Sequence, residues 1–281
     1  MKQGYWVVRT YESGIIGEKT KFWVQGERPS GKSRRKEKSE IRKQEQNEYS
    51  ALKAMARLAN ANFHRDDLIL GLDYSEEGLR KITAWAQKKH PEFDTLPEEE
   101  QQDFIMEAAW HEAELCLRRV AREMKKDGGE LRYILITSDM DGETGEQVRV
   151  HHHLFVEAGV QEIFVKKWEK LGKVDWKKIS KQADYTPICE YFLKQVRRIP
   201  DAKKFRSSRN LVRPRPKDRV VLTDAELRVP RGGKLLFRQE YKNWGGTSYQ
   251  PQYIRYIIPE DKRPKGLTAC RKNKAADLGA I

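Results

Sequence analysis

Two short runs rich in β-branched and aromatic residues, GYWVVRTYE and TKFWVQG, open the chain and predict strands joined by a Gly-containing turn. The pattern then changes to helical spacing. Ile41, Tyr49, Leu52, Met55, Leu58 and Ala59 fall three and four apart and predict a helix reaching about residue 60. DLILGLDYS is a compact apolar run that suits a buried strand. Residues 76–89 and about 97–127 read as helices; the second carries Phe104, Ile105, Ala108, Leu115 and Val120 on one side and stops at Lys-Lys-Asp-Gly-Gly. LRYILITS and QVRVHHHLFVEAG predict two strands linked by the turn-rich DMDGETGE. A helix over 161–171, a short strand in VDWKKI and a helix over 185–198, ended by Pro200, follow. Late strands are expected near 219–229 and 252–258. This order predicts an α+β fold with a mostly antiparallel sheet.

Composition narrows the function classes. The chain has 281 residues, 38% of them hydrophobic and 35% charged, so it has enough apolar material for a core. No stretch approaches the roughly 20 apolar residues of a membrane helix, and the first residues lack the apolar core of a signal peptide. Cys116, Cys189 and Cys270 are scattered and odd in number, which argues against a disulfide framework or a zinc cluster and fits a reducing cytoplasm. The net charge of +14 points to an anionic partner, with nucleic acid first.

Chemistry concentrates in VRVHHHLFV, which holds three of the six histidines. Alternate strand residues share a face, so His151 and His153 project together and His152 points the other way. Two imidazoles so placed can chelate one divalent ion. A third donor is expected from the hairpin partner or its loop, where Asp139 is the first choice over Asp141 and Glu143. Downstream, ADYTPICEYFLKQVRR places Tyr191 and Lys194 three apart on one helical face. A phenol is a weak nucleophile at its ordinary pKa, and a metal with a nearby lysine would make its attack on a phosphate feasible.

His-x-His on a strand followed about 40 residues later by Tyr-x-x-Lys on a helix resembles the HUH endonucleases, and within them the single-tyrosine rolling-circle replication initiator (Rep) proteins of bacterial plasmids, phages and mobile elements. NEYSALKAMARLANANFHRDDLILGLDYS and FRSSRNLVRP extend the resemblance over about residues 40 to 215, with looser likeness as far as YIRYI. The resemblance implies a ferredoxin-like antiparallel sheet with packed helices. It implies Mg²⁺ or Mn²⁺ as cofactor, Tyr191 as nucleophile with Lys194 beside it, and a 5′-phosphotyrosine intermediate on single-stranded or hairpin origin DNA. A host helicase and polymerase would be further partners, in a bacterial cytoplasm. The chain departs from the family at His152, in the middle of the pair, and at Leu70-Gly71-Leu72-Asp73, where relatives are Thr-rich. It departs again at Ser138-Asp139, where many relatives place a Glu. Tyr185 is the nearest rival nucleophile.

Between 194 and 219, eleven basic residues stand against two acidic ones. Arg197, Arg198, Lys203, Lys204, Arg206 and Arg209 are the expected phosphate contacts, and Phe205 or Trp244 could stack on bases. GERPSGKS at 26–33 matches a phosphate loop, but RRKEKSEIRKQEQ after it offers almost no apolar face for a packed helix. The expected division is a hairpin and basic arm over 1–45, a core over 46–200 and a basic extension over 201–281. Alternatives are a relaxase or transposase with the same chemistry, a non-catalytic nucleic-acid-binding module, and a P-loop ATPase acting through Lys32.

Overall fold

A computed structural model describes residues 4–24, 40–179, 183–197, 203–222, 224–240 and 250–263, with side chains from residue 45 onward in the first helix. The chain divides into two compact units, Met1–Arg35 with Arg213–Ile281, and Lys36–Val212. The expected three-part division therefore changes, because both flanks belong to one unit and the stretch up to Val212 belongs to the core. The phosphate-loop look-alike at 26–33, Arg198, Trp244 and Cys270 lie outside the described residues. No described helix is long and apolar enough to cross a membrane.

The flanking unit is a five-stranded antiparallel sheet in the order β8-β1-β2-β10-β9. Its strands are β1 (Tyr5–Ser13), β2 (Ile16–Val24), β8 (Lys217–Val221), β9 (Lys234–Glu240) and β10 (Gln252–Ile257). Gly14, at a φ of 64° that most side chains avoid, turns β1 into β2. The segment after β8 is irregular instead of the expected strand, and its Leu227 and Val229 pack on Ile254 and Tyr256. Lys21 is buried in this unit. Its ammonium reaches Asp224 and the Ala225 carbonyl and lies 4.7 Å over the Trp6 ring, so the buried charge is paired.

The core unit has a second antiparallel sheet, in the order β6-β3-β5-β4-β7. Its strands are β3 (Leu68–Tyr74), β4 (Tyr133–Met140), β5 (Gln147–Val156), β6 (Gly172–Lys178) and β7 (Arg206–Ser207). Five helices complete it: α1 (Glu40–Asn62), α2 (Glu76–Lys89), α3 (Glu98–Lys126), α4 (Gln161–Trp168) and α5 (Thr186–Lys194). Helices pack on both sheet faces over part of their area, so Leu70, Leu135 and Leu154 are buried on one side and Ile69, Ile134 and Phe155 on the other. Leu70, Leu72, Leu135 and Leu154 face Ile82, Met106 and Trp168 of α2, α3 and α4. Ile69, Ile134, Ile136 and Phe155 face Met55 and Ala59 of α1 and Cys189 and Phe192 of α5.

Local chemistry fixes the ends. Ser75 Oγ accepts from the Gly78 amide, and Glu76 and Glu77 stand at the positive end of α2. Asn62, in the NANF turn, bonds the Val212 amide and carbonyl at 2.8 Å each and accepts from Arg132. That clasp ties the end of this unit to α1.

Candidate active site

Strand pairing sets three rows across the face that α5 approaches. Lys173, Asp73, His151 and Ser138 form one row; Asp175, Gly71, His153 and Ile136 the next; Lys177, Ile69, Phe155 and Ile134 the third. Cross-strand partners share a face. His151 and His153 thus stand side by side, with Nε2 atoms 3.1 Å apart.

His152 takes the opposite face, as expected, but that face is a core as well. Its ring is fully buried, with Nδ1 2.8 Å from the Thr137 hydroxyl and Nε2 2.9 Å from the Tyr74 hydroxyl. The Tyr74 hydroxyl also donates to the Ala109 carbonyl, so it accepts from His152 Nε2–H, and Nδ1 accepts from Thr137. Burial, with the neighbouring histidines, pushes His152 down to about 3 and keeps it neutral.

Asp139 does not join the pair. It sits in the irregularity between Ser138 and Met140, on the α3 side of the sheet. There Oδ2 accepts from Arg197 Nε at 2.9 Å and Gln102 Nε2 at 3.2 Å. Asp141 caps its own turn by accepting from the Glu143 and Thr144 amides, which holds its carboxyl below the usual range. Among the described residues no cluster of three His, Cys, Asp or Glu side chains forms. The donor beside the histidines is an amide. Gln195 Oε1 lies 2.9 Å from His153 Nε2 and 3.5 Å from His151 Nε2.

These three atoms fit one divalent ion. Donor–metal bonds of roughly 2.1 Å separate adjacent donors by about 3.0 Å in an octahedron and about 3.4 Å in a tetrahedron. The edges here are 2.9, 3.1 and 3.5 Å. The Arg149 carbonyl, 2.9 Å from His151 Nδ1, accepts a hydrogen bond from Nδ1–H and turns Nε2 toward the site. Burial, then the charge of His151, pushes His153 down to about 4, so its ring is neutral as a ligand requires. Ser138, fully buried in the His151 row, has an Oγ with no partner among the described residues.

Helix α5 brings Gln195 in. Asn60 Oδ1 accepts from the Tyr185 amide, and Asp184 Oδ1 accepts from the Thr186 amide and hydroxyl, which fixes the helix start. Phe192 stacks on His153 with ring centroids 4.4 Å apart. The helix ends at Lys194, earlier than expected, because the Gln195 and Val196 amides fold back onto the Phe192 and Leu193 carbonyls.

Tyr191 is 51% exposed and stands one turn before Gln195 on the same flank. Tyr185 is 6% exposed within the α1–α5 core, and burial pushes its hydroxyl up to about 12, which disfavours it as nucleophile. Lys194 is exposed and pairs with Glu190 at 3.3 Å.

Three of the expected phosphate contacts are occupied within this unit. Arg197 spends its donors on Asp139, Gln147 and the Glu99 carbonyl. Arg206 pairs with Glu114 and stacks over Trp110, and Lys204 reaches the Arg197 carbonyl. Lys203 and Arg209 are exposed. Gln195 is the site residue that sequence reasoning missed; Ser138, Gly71 and Asp73 entered it only as departures from the family pattern. The spacing of Gln195, four after Tyr191, was the one available signal.

No family model matches the chain, and no match was found among the curated proteins or the solved structures.

Proposed function

We propose that this protein is a metal-dependent endonuclease and strand transferase of the HUH type, acting on single-stranded DNA as a replication initiator. The observation that carries this reading is the convergence of His151 Nε2, His153 Nε2 and Gln195 Oε1 within 3.5 Å, one helical turn from the exposed Tyr191. The topology supports it too. Strands β3, β4, β5 and β6, with helices after β3 and after β5, lie in the order fourth-first-third-second, which is the ferredoxin-like arrangement.

His151, His153 and Gln195 would hold Mg²⁺ or Mn²⁺, and the mixed nitrogen and oxygen set favours Mn²⁺. When bound, the ion supplies Lewis-acid polarisation of the scissile phosphate. The Tyr191 oxygen forms the new bond to phosphorus, and the bond from phosphorus to the 3′ oxygen breaks. The phenolic proton leaves to water and the 3′ oxygen takes one up, leaving a 5′-phosphotyrosine and a free 3′-OH. Lys194 would leave Glu190 to meet the phosphate charge.

The test combines the protein, Mn²⁺ and a 5′- or 3′-labelled pool of single-stranded oligonucleotides on denaturing gels. A covalent adduct that Tyr191→Phe abolishes is expected, along with its loss in His151→Ala and His153→Ala. An adduct that survives Tyr191→Phe would remove the nucleophile assignment. Mn²⁺-independent activity would remove the metal site.

A further inference from the structure

Gly71 lies in mid-strand β3, beside His153, and the fold gives no reason for it. Glycine weakens a strand interior. Every other described glycine either has a positive φ or has atoms within 4 Å of where a Cβ would stand, as Gly78 and Gly172 meet backbone carbonyls. Gly71 has neither: its φ is not positive and the space above it is open. Around it the sheet face is uncovered. Asp73 on β3 and Lys173, Asp175 and Lys177 on β6 are exposed on this face beside buried Ile69. On the other face Leu70, Leu72, Tyr74 and Val174 are buried, while Trp176 and Lys178 at the end of edge strand β6 are exposed there too.

We infer that this bare shelf seats one unpaired nucleotide of the DNA strand next to the scissile phosphate, its base lying flat on Gly71. The charges fit a nucleotide better than a free anion. Asp73 and Asp175 would repel a phosphate lying between them, but they accept hydrogen bonds from base N–H groups. Lys173 and Lys177, at the ends of the shelf, meet the flanking phosphates. Lys173 and Asp175 pair at 3.0 Å on the exposed rim, and Lys173 would leave Asp175 to meet the phosphate. The shelf is continuous with the histidine row, since Gly71 pairs with His153 and Asp73 with His151. The inference rests on the reading of the protein as a single-strand DNA enzyme.

The experiment measures binding of a fluorescent single-stranded oligonucleotide, selected from the pool above, by anisotropy in EDTA. Each position near the nick is replaced in turn by an abasic site. Gly71→Val keeps a strand-forming residue at an open position, and its thermal melting should match the parent. One abasic position should weaken binding to the parent by about tenfold, the contribution of one base, yet leave the Gly71→Val protein nearly unaffected. Lys177→Ala should reduce the slope of log affinity against log salt by about one. Equal abasic sensitivity in parent and Gly71→Val, or undiminished binding by Gly71→Val, would overturn the shelf. Coupling without any Tyr191 adduct would leave the shelf standing and sink the nicking reaction; an adduct without coupling would do the reverse.

Discussion

In the proposed metal site, Gln195 is the residue that would set which ion binds. Among the described residues its amide oxygen is the side-chain oxygen hydrogen-bonded to both imidazoles, so Gln195→Ala should weaken Mn²⁺ binding about tenfold or more, measured by calorimetry on the Tyr191→Phe protein. Gln195→Glu should tighten it, because a carboxylate binds hard cations better than an amide. Unchanged affinity in Gln195→Ala would remove it from the ligand set. The histidine pair is legible in the sequence because strand alternation is backbone geometry and needs no partner. Gln195 is not, since its position depends on how α5 packs on the sheet through Phe192 and His153. Asp139 is misplaced for a related reason: which hairpin residue shares a face with His151 depends on register, and the register puts Ser138 there. His152 adds a pH effect of its own. Its ordinary value is 6.5 and burial holds it to about 3 in the folded protein. Between those values the unfolded chain binds a proton that the folded one refuses, so metal-free protein should lose stability as pH falls through that window. His152→Gln should be less stable at pH 7 and less steep in pH, as read from urea midpoints in EDTA.

Helix α5 is held at both ends, and its C-terminal hold is an ion pair. Arg197, 13% exposed, locks the turn after the helix onto buried Asp139, and the Met140 amide donates to the Gln195 carbonyl. Removing one partner leaves the other charge buried, so Arg197→Ala should cost about 3–5 kcal/mol in urea unfolding. Arg197→Met with Asp139→Asn should recover part of that loss; no recovery would show that the pair is not the main restraint. The helices and strands of the core are largely legible, since long periodic segments carry their own signal: the expected 76–89 is α2 as found. The use of the basic residues is not legible. Composition cannot separate an arginine that pairs with Glu114 from one that faces water. Salt dependence of DNA binding should therefore respond to Lys203→Ala and Arg209→Ala.

At the scale of the molecule, the flanks are the least legible part. Nothing in local periodicity announces that β1 pairs with β8 and β2 with β10, because those contacts join segments roughly 200 residues apart. β9 also went unexpected, although it pairs with its chain neighbour β10. An isolated hairpin is marginal in water, so a chain ended after Val212 should lose hydrogen-exchange protection in β1 and β2 while β3, β4 and β5 keep theirs. Protection retained in β2 would show that the hairpin stands alone. The same pairing sets a timetable during synthesis. At about 5–20 residues per second, the first hairpin waits on the order of ten to forty seconds for its neighbours, with two open strand edges. The residues between are made in that interval, so the core has the chance to fold first. Charged Arg9, Glu18, Lys19 and Lys21 along those edges are the kind of residue that discourages pairing with the wrong chain. The buried Lys21 ammonium is then a guard that later becomes a structural member, neutralised only when Asp224 leaves the ribosome.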